Sequence, residues 1–298
     1  MALAMSCISC QQGKNSATES ESDRQTTEVQ DVETEPEVLS DSNPEFVRLA
    51  QPIKNYESDN SLEHESAWLK TTQKFLSAAY DSIYPGNAMG DVSGKADSMA
   101  EILEAEICSG NSLETTYDML ENLDYRYQFL QYKLASSNAK LIKSDSHYSD
   151  EVNSWMNLQT SLYDFFTNVA ILSNFGGTIV NLNILNYRIK LQTIRLQSNN
   201  ELIASKTSSV AALGNEIDNA RNEFIRNLNA RFDRIAENKE LCEMADEYFA
   251  NLALNKSQVL ASLDSWLKVR LAKKDDTNNT IVFLHMLNKF LTLDLSAG

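Results

Sequence analysis

Apolar residues recur at steps of three and four along most of this chain, and each run predicts a helix. The first run is Leu69, Thr72, Leu76, Tyr80 and Ile83. Asn60-Ser61-Leu62-Glu63 ahead of it fits an N-cap with a glutamate at N3. Pro85-Gly86 ends it, and a shorter amphipathic stretch follows from Met99 to Ile107. Asn111-Ser112-Leu113-Glu114 repeats the cap pattern and opens the stripe Leu113, Tyr117, Leu120, Leu123, Tyr127, Leu130, Leu134. A polar break is expected at Lys143-Ser144-Asp145-Ser146. The period resumes through Val152, Trp155, Leu158, Leu162, Phe165, Val169 and Leu172.

Beyond Gly176-Gly177 the period returns in Leu213, Ile217, Ala220, Phe224, Leu228, Phe232 and Ile235. Cys242, Ala245, Phe249 and Leu252 extend it, and Leu263 and Leu267 follow. A pattern this long without caps suggests coiled-coil-like antiparallel packing, with Leu213, Ile217, Phe224, Leu228, Phe232 and Ile235 as the seam. At 1.5 Å per residue the arm after Gly177 would run well over about 50 Å.

Residues 1–60 contrast with this. SATESESDRQTTEVQDVETEPEVLSDSNPE is polar, acidic and nearly free of large apolar residues. Such a segment cannot bury enough surface to offset its ordering entropy. The expected organisation is a disordered acidic tether over 1–60 and a helical bundle over 61–298.

Composition strengthens the helical reading. No proline follows Pro85, and no glycine lies between Gly110 and Gly176 or between Gly214 and Gly298. Sheet proteins need turn residues far more often. The expected class is all-α: an elongated antiparallel helical bundle with long coiled-coil-like helices behind a disordered acidic N-terminal segment. The net charge of -16 argues against nucleic acid as a partner and against electrostatic adsorption to anionic lipid.

From Phe165 to Tyr187 the chain carries no charge. Two uncharged halves flank Gly176 and Gly177, and each is too short and polar for an ordinary membrane-spanning helix. A corner buried in the bundle is one reading, although Asn168, Asn174, Asn181, Asn183 and Asn186 would then need partners. The layout of long helices around a central uncharged hairpin, over roughly 111–275, resembles the helical pore-forming toxins of the cytolysin A and multicomponent haemolysin group. That resemblance implies a secreted protein that oligomerises on a membrane. It implies insertion of Phe165, Phe166, Val169, Ile171, Leu172, Ile179, Val180, Leu182, Ile184 and Leu185.

Candidate chemistry is sparse. Cys7 and Cys10 sit in MALAMSCISCQQ ahead of the polar tether, and lipid attachment there stands beside incidental thiols as a reading. A zinc site would need two more ligands. His64, His147 and His285 are far apart, and no metalloprotease, nucleophile-elbow, phosphate-loop or dinucleotide motif occurs. No catalytic or metal residue, cofactor or small-molecule substrate is expected. The aromatic cluster Tyr117, Tyr125, Tyr127, Phe129 and Tyr132 points around more than one face. The leading expectation is a non-enzymatic helical interaction or assembly protein that self-associates or binds a helical partner, tethered at a surface. A secreted or membrane-surface location is favoured over a cytoplasmic one. The alternative is a component of a pore-forming toxin.

Overall fold

The computed structural model describes residues 44–56, 61–86, 92–109, 115–174, 177–204, 214–237, 245–273 and 276–293. The chain divides into two units, Met1–Val38 and Leu39–Gly298, and every described residue belongs to the second. Among the described residues there are nine helices and no strand. They are α1 (Pro44–Lys54), α2 (Leu62–Ile83), α3 (Val92–Ser109), α4 (Thr116–Ser144) and α5 (His147–Asn174). Then come α6 (Thr178–Ala204), α7 (Gly214–Ala236), α8 (Ala245–Arg270) and α9 (Thr277–Thr292). The protein is an all-α helical bundle.

The first correction concerns the tether. Residues 44–54 fall inside the segment expected to be disordered, yet they form α1 and bury Leu49, Ala50 and Ile53. Pro44 opens this helix, where its missing N–H costs nothing. The Pro52 carbonyl near its end accepts from Trp68 Nε1 at 3.1 Å and Thr72 Oγ1 at 3.3 Å, which fixes α1 on α2. Two helix starts also shift. The cap of α2 is Ser61, whose side chain accepts from the His64 N–H, so Glu63 is not at N3. The cap of α4 is Thr115, with Asp118 completing a reciprocal capping box. The pattern at 111–114 lies outside the described residues.

Local stops are as expected around α5. The break at 143–146 separates α4 from α5, with Asp145 as the C-cap of α4. Gly177 lies between α5 and α6 at φ +89°, a left-handed conformation that favours glycine. Gly176 lies outside the described residues, as do Cys7, Cys10, Leu213 and Cys242.

The long arm expected after Gly177 is folded up instead. Trp155 meets Trp266 and Ser161 meets Ser262, so α5 and α8 run antiparallel. Arg221 pairs with Asp264 while Lys256 lies over Phe232, so α7 is also antiparallel to α8. Helix α6 runs antiparallel to α5, with Arg195 on Glu151 and Tyr187 on Phe166. The chain therefore reverses between α6 and α7 rather than extending as one rod. Each apolar stripe then finds its partner within the same bundle.

Two large apolar cores result, beside a small cluster of Leu141, Tyr148 and Leu202. The larger lies among α5, α7, α8 and α9 with the first half of α6, and includes Phe165, Phe166, Phe224, Leu263, Phe283 and Phe290. The smaller joins α1, α2 and α3 to one face of α4, with Leu69, Leu76, Met99, Leu103, Tyr125, Phe129 and Tyr132. On α4 the buried side is rotated from the expected stripe: Tyr117 is 72% exposed, and Tyr125, Phe129 and Tyr132 are buried instead. Tyr127 and Leu134, which were in the stripe, are buried too.

Candidate functional site

Between the two cores the packing turns polar. Helix α6 presents Gln192, Arg195 and Asn199 at helical spacing, and all three are buried. They meet Gln131, Ser137 and Asn138 of α4, Glu151 of α5 and Glu65 of α2, which are buried as well.

One end of this layer is a charge cluster. Glu151, Arg195 and Arg270 are each fully buried. Arg195 donates to both carboxylate oxygens of Glu151, at 2.8 and 2.5 Å. Trp266 Nε1 adds a third bond at 2.7 Å, and Arg270 Nη1 lies 3.3 Å away. Burial alone would raise the Glu151 carboxyl, but Arg195 and Arg270 outweigh it and hold the group down at about 2. Arg270 in turn donates from Nε to Thr280 Oγ1 at 3.3 Å, tying the end of α8 to α9. Nearby, Tyr148 donates its hydroxyl hydrogen to the buried Asp276 carboxylate at 3.1 Å.

The other end is a small polar cavity of about 20 Å³, room for roughly one water molecule. Glu65, Gln131, Asn138, Gln159, Tyr163 and Gln192 are among its lining residues. Asn199 Nδ2 donates to Ser137 Oγ at 2.7 Å and to Asn138 Oδ1 at 2.8 Å. That fixes the Asn138 amide so that its Nδ2 donates to Glu65 Oε1 at 3.0 Å. Gln131 Oε1, Gln192 Oε1 and the Tyr163 hydroxyl, all in this lining, have no hydrogen-bond partner among the described residues. Glu65 is pushed up to about 7, because burial outweighs the Asn138 bond and the more distant Arg195 charge.

On the outside of the same helices lies a groove. Helix α4 is its floor, and α3 and α6 are its walls. One part, of about 450 Å³, is lined by Ala105, Cys108, Arg126, Leu130, Ile189 and Thr193, with Glu104. The next, of about 220 Å³, is lined by Asp97, Glu101, Lys133, Lys140, Leu196 and Asn200 among others. The α6 wall carries Ile189, Thr193, Leu196 and Asn200, a single face at steps of four, three and four. On α4 the groove runs from Arg126 to Lys140, about 21 Å of helix at 1.5 Å per residue. Its polar groups are partly spent on each other: Lys133 pairs with Glu104, and Lys140 donates to Asp97 at 3.0 Å. Tyr132 donates to the same Asp97 at 3.2 Å.

The residues singled out from sequence fall elsewhere. Phe165, Phe166, Val169, Leu172 and Val180 are buried in the larger core, and Ile171 and Ile184 pack against it half-buried. Leu182 and Leu185 are also half-buried, and Ile179 is exposed. Asn168 and Asn174 donate to carbonyls one turn back in α5, at 3.0 and 2.8 Å. In the seam, Phe224, Leu228 and Ile235 are buried, and Ile217 and Phe232 pack against the same core. Among the described residues no helix is long and apolar enough to cross a membrane, and no cluster of three metal-ligating side chains occurs.

Sequence reasoning missed both the buried polar layer and the groove. The available signal was on α6, where Gln192, Arg195 and Asn199 follow the spacing otherwise kept by apolar residues. No protein-family model, curated protein or solved structure matches the chain.

Proposed function

We propose that this chain is a non-enzymatic helical interaction protein, and that its binding surface is the groove on α4 between α3 and α6. The occupant is an amphipathic helix of a protein partner. The observation that carries this reading is the groove's form. Leu130, Ile189 and Leu196 offer a half-buried apolar line, Glu101 and Arg126 stand exposed beside it, and the length suits about four helical turns. The seam Ile217, Phe224, Leu228, Phe232 and Ile235 is a poorer candidate for self-association, since its contacts are spent inside the bundle.

The test is selection of displayed amphipathic helical peptides against the full chain. Selected peptides should bind the wild type and lose binding to Leu130→Arg, with circular dichroism unchanged between the two proteins. Failure to select any peptide with that dependence would remove the reading. Sedimentation of the same pair would reveal a second copy as the occupant instead.

The pore-forming alternative asks more of the fold. Insertion would draw Phe165, Phe166, Val169 and Leu172 out of a core they share with Phe224 and Phe290. Each such side chain contributes about 1.5–3 kcal/mol by its burial. Dye release from vesicles by the full chain would favour that alternative over the groove.

A further inference from the structure

We propose that the helix held in the groove carries two opposite charges about three turns apart, an acidic side chain set against Arg126 and a basic one set against Glu101. This rests on the groove being the binding surface, and it adds the chemistry of the partner.

Most charges in the groove cancel within the protein. Lys133 pairs with Glu104, and Lys140 donates to Asp97. Asp97 also accepts from Tyr132 at 3.2 Å and from Ser136 at 3.3 Å, so it is well supplied with donors. Glu101 and Arg126 are the remainder. Both are exposed, and among the described residues neither has an ion-pair partner. Arg126 reaches the Cys108 thiol, which burial holds in its neutral form. The α6 wall adds no charge, since Ile189, Thr193, Leu196 and Asn200 are all uncharged.

The two leftover charges stand at different levels of the groove. Helix α3 runs antiparallel to α4: the Cys108 carbonyl accepts from Asn122 Nδ2 at 3.2 Å, Glu104 meets Lys133, and Asp97 meets Lys140. Glu101 lies between Glu104 and Asp97 on α3, which sets it near the level of Ser136. From Arg126 to Ser136 is about 15 Å of helix at 1.5 Å per residue. A bound helix covers that length in about three turns, after which its side chains return to the same face. Leu130, Ile189 and Leu196 line the groove between the two charges and suit the apolar stripe of such a helix. Exposed charges of this kind add little to affinity, but they choose among partners, because a like charge at either place is repelled.

The test is selection against the full chain from a displayed library of amphipathic helices. Their polar faces are uncharged except at two flanking positions three turns apart, which vary freely. Peptides selected on the wild type should carry opposite charges there, in one order along the peptide. The double variant Arg126→Glu with Glu101→Lys should select the reverse order. A peptide selected on the wild type should bind the double variant about tenfold more weakly, with circular dichroism of the two proteins unchanged. Uncharged or like-charged pairs, or the same order on both proteins, would overturn the inference. If Leu130→Arg still abolished binding in that case, the groove itself would stand. Binding that ignores Leu130→Arg would remove both. Should the double variant not fold, salt decides on the wild type. Raising sodium chloride from about 0.05 M to about 0.5 M should weaken a charged selected peptide about fivefold relative to the same peptide with glutamine at both positions. An equal salt response of the two peptides would overturn the inference.

Discussion

Two buried glutamates both feel the charge of Arg195 on α6, and their surroundings differ in one respect. Glu151 receives two arginines and an indole N–H. Glu65 receives a single amide N–H, from Asn138. The first is held ionised and the second is driven toward neutrality, although both are nearly inaccessible. Burial sets the same penalty in both places; the number of donors aimed at each carboxylate decides which form the fold keeps.

The comparison breaks hardest at Arg195. Arg195→Met should cost roughly 3–5 kcal/mol in urea unfolding at neutral pH, because it leaves the Glu151 carboxylate buried with a weaker partner set. A cost below about 1 kcal/mol would mean that Arg270 alone satisfies Glu151. Phe165→Ala should cost a similar 3–5 kcal/mol through the cavity it leaves. Phe165 is fully buried in the larger core, whereas Tyr117→Ala, at a 72% exposed position, should stay within about 0.5 kcal/mol.

The two carboxyls also give opposite pH dependences. Glu151 lies below its ordinary value of 4.5, so its stabilisation is complete above 4.5 and is lost as pH falls toward about 2. Glu65 lies above 4.5, so the folded state binds the extra proton between 4.5 and about 7. Stability therefore falls as pH rises through that window and is level above it. The size is on the order of 3 kcal/mol if the whole displacement is expressed. The difference between wild type and Glu65→Gln isolates this, since other groups cancel. A difference that does not change between about pH 4.5 and 7 would place Glu65 in ordinary solvent contact.

The same contrast explains what could be read from sequence. The α5 stripe from Val152 to Leu172 was legible because every member is apolar and every member is buried. So was the all-α class, since the scarcity of glycine and proline after residue 86 leaves few places for turns. Helix α1 was not legible, because Leu49, Ala50 and Ile53 are few and are embedded in an acidic stretch; their burial comes from α2, α3 and α4. The folding back of the arm was hidden for a different reason. A stripe records that a face is covered, not whether the cover is the next turn of a rod or a returning helix. The seam from Ile217 to Ile235 is covered by α5, α8 and α9. The polar layer was harder to read: the spacing of Gln192, Arg195 and Asn199 marks one face of α6, but nothing in the sequence joins that face to its partners on α4 and α5.

Smaller effects test the local rules. Thr115→Ala removes one side of the capping box on α4 and should cost about 1 kcal/mol. The start of α4 is far from either glutamate in sequence and in bonding, so the pH difference between wild type and Glu65→Gln should survive this change.

The finest test is Gln192→Met, set beside Arg195→Met on the same face of α6. Both exchange a buried polar side chain for a flexible apolar one, three residues apart. Arg195 satisfies a charge that cannot otherwise be buried, so its loss strands Glu151. Gln192 Oε1 satisfies nothing, so removing it relieves an unpaired acceptor even as the amide N–H is lost. The expected change in stability for Gln192→Met is within about 1 kcal/mol of zero. A loss as large as that of Arg195→Met would show that Gln192 holds the polar layer through bonds of its own.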